Sequence, residues 1–570
     1  MVVIGLLLVP INCGVMLWMP SLLGDMLDSL PKGGTTEALA STCLLLLGLV
    51  IADALTWFTS RKLLINASRM VEQSLKDEMT AHLQHLPVAW FDKSRTGDIT
   101  SRMTQDVELV RFVMGPMLLH GGKTICLLPA GMVLMLQMDV AVALTSLAAL
   151  LCVFVSMKFT LPRIHKWSKK SQEAIAGVSQ QAQEDFAGVR VVQQFDITHR
   201  ELAAMATKNR RYLLANLRLV RLRSLMNALM HSSTGLVMLG VLLVGGHQVI
   251  TGRISIGQLF QFMMYLGLMT FPLQILGWTI AMVPRAYAAA IRIEEIFEAE
   301  PEPQDGARPE LRGAIEVRDL TFTYPEANKP ALEGVSFALE PGQKLGLIGP
   351  VGSGKSTLLS LLLRYYDPPR GTMFVDCHDV LDLAPGCLRK LFALAPQEPF
   401  LFSDTISNNI TFDDGTIELD QRDAAVAAAA LEQDLPQLLD GIDTVVGERG
   451  VTLSGGQKQR VSLARAVLSD RPGMLLDDTL SAVDPSTERR ILDGLNESRR
   501  GRTVIATTHR LSVTANADLI LVLDHGKVKE RGTHDELLQH GDLYARAWRL
   551  QTEARALETD SDDAAEGGSR

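Results

Sequence analysis

The chain has 570 residues, 47% of them hydrophobic, with a mean hydropathy of +0.15. That is apolar for a soluble protein of this size, and it argues against a chain lying wholly in water. The formal net charge of −9, with no basic block, argues against a nucleic-acid partner, and the six cysteines have no metal-ligand spacing.

The apolar residues crowd into the first half. Six stretches are long enough to cross about 30 Å of hydrocarbon, which takes about 20 helical residues. They are Val2–Leu27, Leu39–Phe58, Phe112–Met138, Val140–Leu161, Leu225–Ile250 and Ile256–Val283. Pro10, Pro20, Pro129 and Pro272 interrupt them, which membrane helices tolerate. Arg61, Lys62, Arg69, Lys76, Lys93, Arg95, Arg102 and Arg111 lie between the second and third stretches. A longer basic series, from Arg163 to Arg223, lies between the fourth and fifth. The alternate connections hold little more than Lys32 and Arg253, so the two long loops are expected in the cytoplasm. Four ionisable residues fall in or beside the spans: Asp53, His120, Lys123 and Arg285. Each lies either on a hydrated substrate path or near a span end facing water.

Four segments follow from composition. Residues 1–297 are the membrane part, and 298–312 are a Pro- and Glu-rich linker. Residues 313–555 have the composition of a soluble α/β domain, with strands expected around Ile315–Val317 and Thr321–Tyr324. Residues 556–570 form an acidic tail expected to be disordered.

The soluble part carries the chemistry. Gly349, Pro350, Val351, Gly352, Ser353, Gly354, Lys355 and Ser356 fit G-x-x-x-x-G-K-[ST] in full. The short apolar strand Leu345–Ile348 precedes them, and a helix-forming run from Thr357 to Arg364 follows. Such a loop cradles phosphates with backbone N–H groups, its lysine reaches the β/γ-phosphates, and its serine ligates Mg²⁺. Downstream, Ser454, Gly455, Gly456 and Gln457 open an expected helix, Gln457–Leu468. Glycines there let an anion approach the positive end of a helix. The apolar run Met474–Leu476 ends in Asp477 and Asp478, the pattern of a buried strand delivering carboxylates to its C-terminal end.

A phosphate loop, an LSGGQ sequence and strand-end carboxylates together resemble the nucleotide-binding domain of ATP-binding cassette (ABC) transporters. The resemblance extends over nearly the whole chain as an exporter-type half-transporter. It implies an all-α six-helix membrane domain fused to an α/β phosphate-loop ATPase, located in a bacterial inner membrane with the ATPase in the cytoplasm. ATP and Mg²⁺ are the implied cofactors. By the same resemblance, Tyr324 stacks on adenine, and Thr357 joins the phosphate loop in the ATP site. Gln397 is the Q-loop residue, a ligand of Mg²⁺ or an orienter of water, and His509 is the switch histidine at the γ-phosphate. Asp477 holds Mg²⁺ with Ser356 and Gln397. Ser481 and Asp484 belong to the D-loop between paired domains. Lys355, Gln397, Asp478 and His509 form the expected catalytic set. The stretches Ser94–Arg102 and Glu184–Arg190 are expected near short coupling helices.

Two departures stand out. Family members usually open with an amphipathic, basic elbow helix, whereas this sequence reaches apolar residues at Val2. Either the start is misassigned or the elbow is absent. More consequentially, the residue after the strand aspartate is usually Glu, which polarises the attacking water, and here it is Asp478. One methylene fewer withdraws the carboxylate by roughly 1.5 Å, and a misplacement of about 1 Å costs around 100-fold in rate. Hydrolysis on this chain's own phosphate loop is therefore expected to be slow.

Each ATP in the family lies between one domain's phosphate loop and another's LSGGQ, so a second half-transporter is required. An altered Asp478 beside an unaltered Ser454–Gln457 favours a heterodimer exporting a hydrophobic or amphipathic small molecule of unidentified structure. A homodimeric lipid flippase or multidrug exporter, and an ATP-binding regulatory half with negligible turnover, remain the alternatives. Membrane lipid is the other expected partner.

Overall fold

The computed structural model describes residues 1–32, 35–412, 414–447, 453–480, 485–498 and 501–553. It divides into two compact units. One comprises Met1–Leu83 and Gly97–Ala299, and the other comprises Gln84–Thr96 together with the chain from Glu300 onward.

The first unit is helical. α1 (Val2–Ser29) and α2 (Thr36–Gln84) are followed by the short α3 (Val88–Lys93) and α4 (Thr96–Ser101), of which α3 belongs to the second unit. Then come α5 (Val107–Phe112), α6 (Leu118–Met138), α7 (Val140–Ala187), α8 (Val189–Gln194), α9 (Thr198–Ile250) and α10 (Ile256–Phe297). Five of the six apolar stretches therefore lie within one long helix each, and the third, Phe112–Met138, runs from the end of α5 through the π-helical turns Val113–Met117 into α6. Among the described residues, Val2–Ser29, Thr36–Gln84 and Thr96–Met138 are long and apolar enough to cross a membrane. α7 and α10 begin on side-chain caps, since Asp139 accepts from Val142 N and Ser255 forms a capping box with Gln258. The shared core contains Leu64, Leu119, Leu127, Phe262, Tyr265 and Met269.

The second unit holds two sheets. The antiparallel one has the order β2 (Leu332–Leu339), β1 (Ile315–Phe322), β4 (Met373–Val375), β5 (His378–Asp379). The two strands expected at Ile315–Val317 and Thr321–Tyr324 are one strand, β1. Asp319 adopts φ +45° between irregular register positions, so the polar Arg318–Asp319 step is a bulge and not a break.

The other sheet has the order β10 (Lys527–Gly532), β9 (Leu519–Asp524), β3 (Lys344–Ile348), β8 (Thr503–Thr508), β7 (Gly473–Asp477), β6 (Phe392–Ala395). From β9 to β6 the pairings are parallel. Their residues are nearly all buried, which explains why these strands read as continuous apolar runs. Helices α11 (Lys355–Leu362), α12 (Pro385–Leu391), α13 (Ile406–Thr411), α14 (Leu419–Ala428), α15 (Gly455–Leu468), α16 (Pro485–Ser498) and α17 (His534–His540) complete the unit. Residues 300–312 of the expected linker belong to this unit. Arg389 donates to both oxygens of Glu302 at 2.7 and 2.5 Å, and Glu302 N donates to His85 O at 2.7 Å.

Candidate ATP site

Parallel pairing puts the C-terminal ends of β3, β8, β7 and β6 along one edge, where open α/β sheets bind ligands. The phosphate loop leaves β3, His509 leaves β8, Asp477 and Asp478 end β7, and Gln397 follows β6. These residues are far apart in sequence, and the strand order alone makes them neighbours.

The loop from Gly349 to Gly354 needs its glycines. Gly354 adopts φ +101° as the N-cap of α11, and a Cβ there would stand 2.6 Å from Ala331 O. Lys355 is buried, and its Nζ donates to the carbonyls of Gly349 at 2.8 Å and Pro350 at 2.9 Å. It also approaches Ser353 Oγ at 3.4 Å. Burial lowers the Lys355 pKa, while Asp478 and Asp477 oppose that shift.

Ser356 Oγ donates to Asp477 Oδ1 at 3.1 Å, so the loop serine and the strand carboxylate converge. Hydroxyl and carboxylate oxygens are the hard donors Mg²⁺ prefers, and the pair fits that ion. Thr507 Oγ1 donates to the same Oδ1 at 2.5 Å. Thr507 carries no motif that marks a role, because its position opposite Asp477 depends on the β7–β8 register. A polar residue directly after the apolar run Val504–Ala506 was the available signal.

Asp478 is 7% exposed and adopts φ +45°, a left-handed conformation uncommon for a residue with a Cβ. Its N–H is held by Thr507 O at 3.0 Å and Thr507 Oγ1 at 3.1 Å. Burial raises the Asp478 pKa, and His509, Lys355 and a backbone hydrogen bond from His509 hold it back. A raised pKa in the folded state disfavours the ionised form, so Asp478 weakens stability above that pKa and ceases to do so below its unfolded value of about 3.9. Asp478→Asn is therefore expected to melt later than the parent at pH 7 in thermal denaturation. The gain should vanish as the pH falls through the carboxyl titration. An equal gain at pH 3 and pH 7 would refute that origin.

Tyr324 is half-buried beyond β1. Its hydroxyl donates to Thr357 Oγ1 at 3.2 Å, and its ring meets those of Phe322 and Tyr366 edge-on at 5.1 and 4.9 Å. Tyr366 in turn donates to Asp92 Oδ2 of α3 at 2.6 Å. Gln397 and His509 are exposed, and His509 O accepts from Gln551 Nε2 at 2.7 Å.

Ser454 caps α15, which starts at Gly455, two residues before the expected Gln457. Its Oγ accepts from Gln457 N at 3.3 Å, and Gln457 Oε1 accepts from Ser454 N at 2.9 Å. Asp434 anchors this end through Arg460, at 2.7 and 2.8 Å. Ser454 and Gly455 are exposed, and a Cβ at Gly455 would meet nothing within 4 Å among the described residues. Ser454→Ala is expected to cost about 1 kcal/mol of stability by the loss of one cap. Thermal unfolding of this variant checks it. Ser481 and Asp484 lie outside the described residues.

A phosphate loop, a strand-end carboxylate tied to its serine, and a capped Ser-Gly-Gly helix on a parallel sheet define a phosphate-loop ATPase of cassette type, here fused to a helical membrane unit. Family models agree. The ABC transporter transmembrane region matches residues 2–273, and the ABC transporter ATPase model matches residues 332–481. The chain belongs to the ABC transporter family. It is similar to the multidrug resistance-like ATP-binding protein MdlA of Escherichia coli (strain K12), 37% identical over 511 residues, covering 89% of this chain and 86% of that protein. It is similar to an ATP-dependent lipid A-core flippase of Vibrio cholerae, 32% identical over 560 residues, covering 96% and 95%. Among solved structures it resembles a bacterial Atm1-family ABC exporter with ATP bound, with TM-score 0.77 and 26% identity, covering 96% and 97% of the two chains. The chain is thus a membrane-spanning ABC exporter whose ATPase domain is cytoplasmic.

Proposed function

We propose that this chain is one half of a heterodimeric exporter of a hydrophobic or amphipathic substrate, and that ATP held on its own phosphate loop is hydrolysed slowly. In this reading the loop N–H groups and Lys355 hold the phosphates, Tyr324 stacks on adenine, and Ser356, Asp477 and Gln397 hold Mg²⁺. When bound, Mg²⁺ neutralises charge on the transferred phosphoryl group. His509 meets the γ-phosphate. The Ser454–Gln457 end of α15, exposed at Ser454 and Gly455, receives the partner's ATP, completing a competent site there. ATP binding draws the two cassettes together, and the loops around α3 and α8 carry closure to the membrane helices.

The carrying observation is Asp478: a carboxylate one methylene short, on a backbone whose N–H is tied to Thr507 at 3.0 Å. Steady-state ATPase activity in lipid tests it, for the chain alone and with a second half-transporter bearing Glu after its strand aspartate. The chain alone should be nearly silent and the pair active. Turnover by the chain alone of a few per second, inside the ordinary range of about 1–1,000 per second, would overturn the reading. A homodimeric lipid flippase would then take its place; a relative 32% identical to this chain is named an ATP-dependent lipid A-core flippase.

A further inference from the structure

Residues 543–553 form a helix that lies against the loop following β8. Tyr544, Ala547, Trp548 and Gln551 are spaced i, i+3, i+4 and i+7, so they share one face. Tyr544 is 1% exposed and belongs to one buried cluster with Leu511 and with Ile348, the residue before the phosphate loop. Ala547 and Trp548 pack against that cluster. The start of the helix is held from β10, where the Glu530 carboxylate accepts from Leu543 N at 2.6 Å and Tyr544 N at 3.2 Å.

This apolar face ends in an amide. Gln551 Nε2 donates to His509 O at 2.7 Å, and Gln551 Oε1 accepts from Leu511 N at 3.0 Å. The partners fix the amide's orientation, since a carbonyl only accepts and an N–H only donates. Ionised glutamate at this position accepts from Leu511 N but has nothing to donate to His509 O.

The same loop is held on another side by α16. Glu488 is 2% exposed, accepts from Ser512 Oγ at 2.6 Å and pairs with Arg510. His509 lies within this braced stretch. A backbone hydrogen bond from His509 reaches the Asp478 carboxyl, and its carbonyl goes to Gln551. The backbone of His509 is thus fixed on both sides, while the residue remains exposed beside the phosphate loop's edge of the sheet. A side chain is placed only as well as the backbone that carries it, and a displacement of about 1 Å is costly at a reacting group.

We infer that Gln551 is a positioning residue of the ATP site, which holds His509, through its backbone, where the imidazole meets the γ-phosphate. The inference rests on the proposed role of His509 and adds the residue that sets its reach.

Nucleotide binding reads this contact without turnover, because ADP lacks the γ-phosphate. The full chain in phosphatidylcholine nanodiscs, with Mg²⁺, would be titrated with the non-hydrolysable ATP analogue AMP-PNP and with ADP. Gln551→Met keeps an unbranched side chain on the helix face and loses both hydrogen bonds. It is expected to weaken AMP-PNP binding about 3–10-fold, the loss of a hydrogen-bonded brace, and to leave ADP within about twofold. Gln551→Glu, which retains only the Leu511 contact, should behave as Gln551→Met does. In a His509→Ala background Gln551→Met should have no further effect, since the brace then holds nothing that touches the γ-phosphate. Retained ADP binding shows that each variant is folded. Equal weakening of both nucleotides would make Gln551 a packing residue and overturn the inference, as would unchanged AMP-PNP affinity. If His509→Ala removes the preference for AMP-PNP and Gln551→Met does not, this inference alone fails. If His509→Ala leaves that preference intact, the role of His509 fails and this inference fails with it.

Discussion

Asp478→Glu is expected to raise the ATP turnover of this chain alone by about 10–100-fold, because it returns a carboxylate to within reach of the attacking water. A backbone shift could in principle compensate for the shorter side chain. Here the Asp478 N–H is bonded to both Thr507 O and Thr507 Oγ1, and Thr507 Oγ1 is bonded in turn to Asp477. Moving the backbone would break the set of contacts that also holds the expected Mg²⁺ ligand. Burial adds a second handicap. It raises the Asp478 pKa, so at a given pH less of the carboxylate is in the basic form. Phosphate release measured across pH separates the two effects. The parent should gain activity as pH rises through that carboxyl titration, and the Glu variant should be faster at every pH. In the heterodimer the same substitution should change total turnover only modestly, since the partner-containing site carries most of it. No gain in the isolated chain would mean that side-chain reach does not limit this site.

Lys355→Met should weaken ATP binding by about 10–100-fold, the effect of losing a charge-assisted contact worth roughly 1.5–3 kcal/mol. Two losses combine. The ammonium is the cation of the phosphate loop, and methionine supplies none. Lys355 also ties the loop internally, through Gly349 O and Pro350 O, so the thioether loosens the N–H cradle as well. Burial already lowers the lysine's pKa, but Asp477 and Asp478 favour its charged form. Equilibrium binding of a fluorescent ATP analogue reads the effect directly. Binding within twofold of the parent would place the phosphates elsewhere.

Much of this protein is legible in its sequence. The apolar stretches foretold the long helices because a segment in lipid must satisfy its backbone internally, and a helix does so using local residues alone. The phosphate loop and the cap of α15 are equally local: Gly354 must adopt φ +101°, and Ser454 and Gln457 satisfy each other three residues apart. The Asp478 departure needs only one position to be read.

What tertiary structure decided is what depends on register and neighbours. Strand order placed Ser356 at 3.1 Å from Asp477, and the β7–β8 register brought Thr507 to both strand-end aspartates. No periodicity encodes those pairings, because buried parallel strands carry apolar runs that fit several registers equally well. β1 was mistaken for two strands because a bulge absorbs its polar step. The cluster of Asn12, Asp53, Trp57 and Lys123 is of the same kind. Asn12 lies on α1, Asp53 and Trp57 on α2 and Lys123 on α6, and helix packing alone supplies the partners that a buried polar group requires.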